Sequence, residues 1–452
     1  MSRVADWFEG ITLIRPNERR ATLLSFVVVF MLMASYFVLR PVRDAMASDW
    51  SDAEVSLLWN LQFFLSAGLV VLYSFTVSRV KLERVVPGVY AMFALSFLAF
   101  RLGTPLVSDP TLLEKGFYMW VSAFSLFNVS VFWSFMANTF TPDQSRRLFA
   151  TIGAGASAGA IVGPAVPTLF AQALGLEALL LIASGGLLAV VPVILWLQRM
   201  KVTQLDNSQH HLSVDDLAQP LGQRWWSGFR DVLRNRYLLA IAVFILLYVF
   251  IGSFVYFIQK NLLVEFTRVE RTQILSGISW LVNTLTFICA LLVTGRLVRR
   301  CGMATTLALL PLVLLVGMAA LAFAPMIVLL LAVDVARRVG NYAVTRPARE
   351  MLFTQVSTDQ RFKAKPVLDV VVYRGGDAIS GSLFALLSEG LALGLGAISL
   401  VGSAVAALWT VVALYLGRRY KRMEPVHDAA SSERPARHQH PVNGRPALSS
   451  GR

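Results

Sequence analysis

The sequence predicts an all-α polytopic membrane protein of about twelve transmembrane helices in two groups of six. Three observations predict it: twelve apolar stretches near the roughly 20 residues that one bilayer crossing needs, basic residues gathered in every second connection, and one polar connector at mid-chain. With 56% hydrophobic and only 15% charged residues in a chain of 452, lipid must be part of the solvent. The stretches run Ala21–Leu39, Val55–Val77, Val85–Phe100, Phe117–Thr139, Phe149–Ala171 and Ala178–Leu197 before the connector. Leu238–Phe257, Ile274–Val293, Met303–Ala322, Pro325–Val339, Val367–Leu387 and Leu393–Leu416 follow it.

The net charge of +14 would raise nucleic acid as a partner, but the charges mark membrane sidedness instead. Arg3, Arg15, Arg19, Arg20, Arg79, Lys81, Arg84, Arg146 and Arg147 fall on one side. The connector from Arg199 to Arg236, Arg296, Arg299 and Arg300, the run from Arg337 to Lys365 and the tail from Arg418 join them there. The other side holds Arg40, Arg43, Arg101, Lys115, Lys260, Arg268 and Arg271. By the positive-inside rule both termini are cytoplasmic, which requires an even number of spans in an inner-membrane protein. The expected divisions are an interfacial N-terminus 1–20, a six-helix half 21–198, a cytoplasmic connector 199–236, a second half 237–417 and a basic, disordered cytoplasmic tail 418–452.

Several local features have plain readings. Ala21–Leu39 is expected to be retained, since no short apolar core with a small-residue cleavage site precedes it. Val4–Ile14, with Trp7, Phe8, Ile11 and Leu13, suits an amphipathic segment lying at the inner interface. Trp225-Trp226-Ser227-Gly228-Phe229-Arg230 reads as an interfacial anchor before the seventh span. Cys289 and Cys301 suggest neither a disulfide nor a metal site, and His438 and His440 are too few for one, so no cofactor is expected. The run Gly153, Gly155, Gly159 and Gly163 lies in an apolar span, its last three at four-residue spacing, and stacks small residues for close helix packing. The chain has no phosphate-binding Gly-Lys-Ser/Thr loop and no His-Glu-x-x-His, so catalysis is not expected.

Ionisable residues at membrane depth cost several kcal/mol unless paired or facing water, and so point to a solute pathway. Arg40, Arg43 and Asp44 share a helix face at the end of the first span, suited either to headgroup contact or to the mouth of a cavity. Span eleven carries Asp369, Arg374 and Asp377 around the pair Gly375-Gly376, which can loosen the helix and let backbone approach a solute; an internal Arg374–Asp377 salt bridge is the plainer alternative. Asp334 with Arg337 and Arg338 reads as a structural pair near the inner surface.

The two-times-six plan resembles the major facilitator superfamily. Gly295-Arg296-Leu297-Val298-Arg299-Arg300-Cys301-Gly302 is similar to its Gly-x-x-x-Asp-Arg-x-Gly loop, with Val298 in place of the acid, and Ser78–Arg84 echoes it. Gly163-Pro164 resembles the glycine-proline motif of its antiporters. Within that superfamily the chain resembles nucleotide transporters of the ATP/ADP translocase type. Leu39-Arg40-Pro41-Val42-Arg43-Asp44 resembles their Leu-Arg-x-x-Lys-Asp. Phe132-Trp133-Ser134-Phe135-Met136-Ala137-Asn138 resembles their Phe-Trp-Gly-Phe-x-Asn, and Ser145-Arg146-Arg147-Leu148-Phe149 the Ala-Lys-Arg-Phe beyond. Pro347-Ala348-Arg349-Glu350-Met351, then Asp359, Lys363 and Lys365, and Asp369 to Gly376 resemble their Pro-x-Lys-Glu-Met, basic loop and Asp-Val-x-x-x-Arg-x-Gly-Lys helix.

Taken together, the candidate substrate site is Arg40, Arg43, Arg374, Tyr256 and Asn138, the candidate coupling-ion carboxylates are Asp369, Asp377 and Asp44, and packing or gating roles are expected for Gly155, Gly159, Gly163, Gly295, Arg299, Gly375 and Gly376. Of the four charged span residues that serve nucleotide exchange in that family, only the first survives, as Arg43. Asp377 replaces a lysine, Tyr256 stands where an acid is expected, and span four has no acid between Phe117 and Asn138. Each lost cationic partner removes about 1.5–3 kcal/mol from a tetra-anion, which argues against strict ATP/ADP exchange. The expectation is a monomeric secondary transporter for a less charged, nucleotide-related, organic phosphate or carboxylate anion. Its rivals are a proton-coupled exporter of amphiphiles and a non-transporting scaffold or sensor.

Overall fold

A computed structural model describes residues 14–80, 82–205, 230, 232–292, 294–356, 364 and 367–432; the described residues are helical, with no strand among them. Before the connector lie α1 (Arg19–Met46), α2 (Asp52–Arg79), α3 (Leu82–Gly103), α4 (Thr111–Thr139) and α5 (Pro142–Thr203). After it come α6 (Arg236–Leu262), α7 (Arg268–Leu292), α8 (Thr294–Phe323), α9 (Ile327–Gly340), α10 (Arg346–Leu352), α11 (Tyr373–Ala385) and α12 (Leu395–Ser432). Residues 1–13, Trp225–Phe229, Asp359, Lys363, Lys365, His438 and His440 lie outside the described residues, as do the side chains of Asp369 and Arg299.

Nine helices among the described residues are long and apolar enough to cross a membrane. The longest holds two crossings. As one rod its 62 residues would span about 93 Å, three times a bilayer core, but the backbone leaves helical geometry at Gly175 (φ 75°, ψ 164°), a conformation that glycine tolerates. The segments on either side of Gly175 both pack on α1. Two further crossings fall short of the length criterion because π-helical turns at Asn341–Thr345, Val367–Val372 and Leu386–Gly390 cut them into pieces.

Side-chain caps start the helices where the sequence supplies them. Ser51 and Glu54 form a capping box on α2, Thr141 and Gln144 form another on α5 with Pro142 in its first turn, and Asn235 accepts from the Tyr237 amide to open α6. Two boundaries differ from expectation. α9 does not end at Val339 but continues through the π turn into α10, because the arginines that depress its hydropathy turn inward. Asp334 is buried within the bundle beside Arg337 and Arg338. α12 runs through Arg418, Arg419, Lys421 and Arg422 to Ser432, so the first part of the tail expected to be irregular is helical; its Lys, Arg, Met and Ala residues are good helix formers.

Buried apolar side chains form two clusters. One takes Tyr90, Phe93, Phe124, Phe132 and Phe135 from α3 and α4 together with inward faces of α1 and α5; the other is built on Phe244, Phe254, Phe257 and Trp409 of α6 and α12. Trp50, Val55, Leu58 and Tyr118 belong to the second cluster although they precede the connector. Contact between the first six crossings and the last six is therefore dense at the face opposite the termini. On the terminal face, Arg147 donates to Glu18 at 2.8 and 2.9 Å, tying α5 to the start of α1. Burial alone would raise the Glu18 carboxyl, but hydrogen bonds from Arg147 and from the Arg15 amide outweigh it and hold the group below its ordinary value.

The glycine stripe sits where α5 approaches α1. A Cβ at Gly155 would lie 2.5 Å from the Phe26 carbonyl oxygen and one at Gly163 would lie 2.6 Å from that of Ala34; one at Gly159 would strike the Phe30 carbonyl. Backbone cannot yield as a side-chain tip does. Gly159→Ala is expected to lower stability by about 1–3 kcal/mol, while Gly185→Ala, in open space, leaves it within about 0.5 kcal/mol or raises it. Thermal unfolding of the two purified variants beside the parent checks this, and equal melting temperatures would remove the close-packing account.

Candidate functional site

A cavity of about 560 Å³ lies between the two groups of crossings. Tyr36, Arg40, Arg43 and Asp44 of α1 line it from one side, and Tyr342, Arg346 and Arg349 of the π turn and α10 line it from the other. Spacing puts each set on one helical face, at i, i+4 and i+7. Arg43 donates to Ser122 at 2.8 Å and to Asp44 at 2.5 and 2.9 Å, and its guanidinium lies 5.1 Å from the Tyr118 ring centre. Arg40 reaches the other oxygen of Asp44 at 3.5 Å. Asp44 thus orients both arginines by standing between them.

Tyr256 meets Tyr118 hydroxyl to hydroxyl at 3.0 Å, and the Trp59 indole donates to Tyr118 at 2.8 Å. These rings join the two groups of crossings beneath the arginines. Arg374 and Asp377 also line the cavity and pair loosely, at 3.8 Å. In all, five arginines and two aspartates line it, an excess of three positive charges.

Of the residues singled out from the sequence, Arg40, Arg43, Asp44, Tyr256, Arg374 and Asp377 come together here. Asn138 does not; it is buried near the end of α4. α11 stays regular through Gly375 and Gly376, and the departure from α geometry falls earlier, at Val367–Val372, the segment that carries Asp369. A Cβ at Gly376 would meet Leu246 and Val249 of α6 at 3.1 Å, so that glycine faces a helix. Gly295 lies in the first turn of α8, before the break at Gly302.

Sequence reasoning placed Arg346 and Arg349 in a loop and passed over Tyr36 and Tyr342. A signal for them existed. Tyr36-Phe37-Val38-Leu39-Arg40-Pro41-Val42-Arg43-Asp44 and Tyr342-Ala343-Val344-Thr345-Arg346-Pro347-Ala348-Arg349-Glu350 share Tyr, Arg, Pro, Arg and an acid at the same spacing. The two copies face each other across one cavity.

The family model described as Major Facilitator Superfamily matches residues 25–345. The chain belongs to the Major Facilitator Superfamily. Among solved structures this major facilitator is similar to the nucleoside transporter NupG, at 13% identity and a TM-score of 0.60 over 88% of this chain and 99% of that one. It is similar to a POT family transporter in complex with 5-aminolevulinic acid, at 14% identity and a TM-score of 0.61 over 89% of this chain and 96% of that one. Such low identities show the fold alone. The curated relative "ADP,ATP carrier protein 2" of Chlamydia pneumoniae is 25% identical over 221 residues, 42% of this chain. The match spans about two-fifths (40%) of that carrier's length. The two solved structures are transporters and the Chlamydia pneumoniae relative is a carrier.

At the face opposite the termini the two groups of crossings are ion-paired. Asp49 accepts from Arg268 and from Arg271, each at 2.5 Å, and Glu114 takes Arg268 through both oxygens at 2.5 and 2.9 Å. Lys260 lies 2.7 Å from Asp52, both side chains being under a tenth exposed, and donates to the Trp50 carbonyl at 2.6 Å. Glu389 accepts from the Asp52 and Ala53 amides at 2.6 and 3.2 Å, at the N-terminus of α2. The basic residues there clamp one group to the other in addition to marking a side.

Removing one partner of a buried pair costs about 3–5 kcal/mol, because the other charge stays behind. Asp52→Asn is therefore expected to open this face. With Cys289 and Cys301 replaced by serine and a single probe at Ser125→Cys in the cavity, an impermeant maleimide added from that face should react at least roughly tenfold faster than in the Asp52 parent. Equal rates would mean that the pair does not hold the face shut.

Proposed function

We propose that the protein works by alternating access in the cell inner membrane, with both termini cytoplasmic, and carries an anionic solute whose phosphate or carboxylate group binds between Arg40/Arg43 and Arg346/Arg349. The opposed Tyr-Arg-Arg faces carry this reading. Two arginines on each side suit bidentate recognition of a phosphate or carboxylate, and Tyr36, Tyr342 and Trp59 offer rings on which a planar group can stack. An excess of three charges balances a di- or trianion better than the tetra-anion ATP. A nucleoside monophosphate or a related organic phosphate fits, in keeping with the adenine nucleotides for which the Chlamydia pneumoniae carrier is named.

The six-helix halves 21–198 and 237–417 rock about the cavity in this scheme. The ion-paired face is the outer one, closed here by Asp49, Asp52 and Glu114. Asp44 is engaged by two arginines and positions them. Among the described residues Asp377 is ion-paired with Arg374 alone, at 3.8 Å, and has room to take up and release a coupling proton.

The test is the melting temperature of the purified protein in sodium gluconate against nucleoside mono-, di- and triphosphates, sugar phosphates, dicarboxylates and cationic amphiphiles. An anion at about 100 times its Kd stabilises by about 2.7 kcal/mol, a rise of roughly 2–5 °C. The rise should be largest for a di- or trianion and vanish in both Arg43→Ala and Arg346→Ala. A rise with amphiphiles alone points to the exporter, and no rise with any compound points to a scaffold; either result defeats the anion reading.

A further inference from the structure

Beside the central cavity lies a second pocket of about 40 Å³, less than a tenth of its neighbour's volume. The two share Arg40, Asp44 and Tyr256. The remaining polar residues of the small pocket are Gln259 of α6, Ser279 of α7, and Asp334, Arg337 and Arg338 of α9, with Pro41 and Leu275 completing its wall.

Both carboxylates are already engaged. Asp334 accepts from Arg337 at 2.6 and 3.2 Å and lies 3.6 Å from Arg338, while Asp44 is held by Arg43 and Arg40. Three arginines line the pocket against two aspartates, so positive charge is in excess. Donors are in excess too. Arg338 Nε and Gln259 Nε2 are buried with no hydrogen-bond partner, on residues each 7% exposed. Ser279 Oγ accepts from Arg338 Nη2 at 3.2 Å and keeps its own proton to donate.

A buried donor left unpaired costs about 1–3 kcal/mol, so two facing one pocket call for an acceptor between them. The space exceeds the ~10–15 Å³ that one water needs but is too small for an organic phosphate or a dicarboxylate. Water would accept from the donors but would leave the charge uncompensated and bring protons of its own to place. A monatomic anion meets both requirements.

We propose that this pocket binds one small monovalent anion of the chloride type, held by the Arg338 Nε–H, the Gln259 amide N–H and the Ser279 hydroxyl. Its contacts come from helices after the connector, while Arg40 and Asp44 close the pocket from α1, so the anion bridges the two groups of crossings. Arg40 faces both pockets, and an anion in the small one offsets the charge that a solute meets in the large one. By reciprocity the halide and the solute then change each other's affinity by the same factor. The existence of the halide site does not rest on the identity of the solute in the central cavity.

The experiment compares melting temperatures of the full-length protein in sodium chloride, sodium bromide and sodium gluconate at equal ionic strength and pH, without solute. Both halides should raise it saturably by about 2–5 °C over gluconate. Gln259→Glu puts a carboxylate where the anion sits and should abolish the rise; Ser279→Ala should raise the half-saturating halide concentration severalfold and decides the matter if the first variant does not fold. An anomalous peak between Arg338 and Gln259 in bromide-grown crystals would place the ion. Identical melting temperatures in chloride and gluconate, or a halide rise undiminished in the variants, would overturn the site and leave water as its occupant. Because solute binding is measured in gluconate and lost through Arg43 and Arg346, the two readings fail separately.

Discussion

Everything in this protein answers to the expense of charge in a low-dielectric interior. An ionised side chain inside a bilayer is tolerated only where it is paired or faces water, so the arginines and aspartates of the crossings concentrate where helices turn away from lipid. Arg40, Arg43, Arg346, Arg349 and Arg374 thereby end on one cavity, and Asp334, Arg337 and Arg338 on the pocket beside it. The aromatic and aliphatic clusters on either side keep those helices in place, and the closely packed glycine face of α5 lets α1 sit near enough to present its charged face inward.

The same constraint divides the two ends of the molecule. At the face opposite the termini, acids of α2, α4 and the turn after α1 meet bases of α6 and α7, and Asp49, Asp52 and Glu114 each find a counter-charge across the seam. In the cavity the balance is deliberately incomplete. Positive groups outnumber negative ones, and the deficit is what the proposed anionic solute would supply.

How much of this was legible in the sequence follows from what hydropathy measures. Crossings such as α6 and α12 read clearly, since their apolar residues run unbroken past the length of a bilayer core. The crossing that joins α9 to α10 did not, because Arg337, Arg338, Arg346 and Arg349 lower the average although they face inward; hydropathy counts a charge without its direction. Lys260, Arg268 and Arg271 were legible as charges on the sparsely basic side, but their partners Asp49, Asp52 and Glu114 are distant in sequence, and a loop-by-loop count cannot see them. The repeat of Tyr36–Asp44 at Tyr342–Glu350 was legible in principle. It was missed because its two copies stand in spans that do not correspond by order within the two halves.

That repeat explains how a bound anion would act on the protein's shape. With the cavity empty, arginine faces from the two halves confront each other as like charges; at a separation on the order of 10 Å and an effective dielectric near 20, each such pair costs about 1.7 kcal/mol. A solute placed between them turns several repulsions into attractions at once, and does so only when both faces are close enough to share it. Solute binding is thus differential between arrangements of the halves, which is the condition for a ligand to move a conformational equilibrium. An arginine cluster on one half alone would bind the same anion as tightly without driving the halves together, so it is the division of the cluster between α1 and α10 that links recognition to motion.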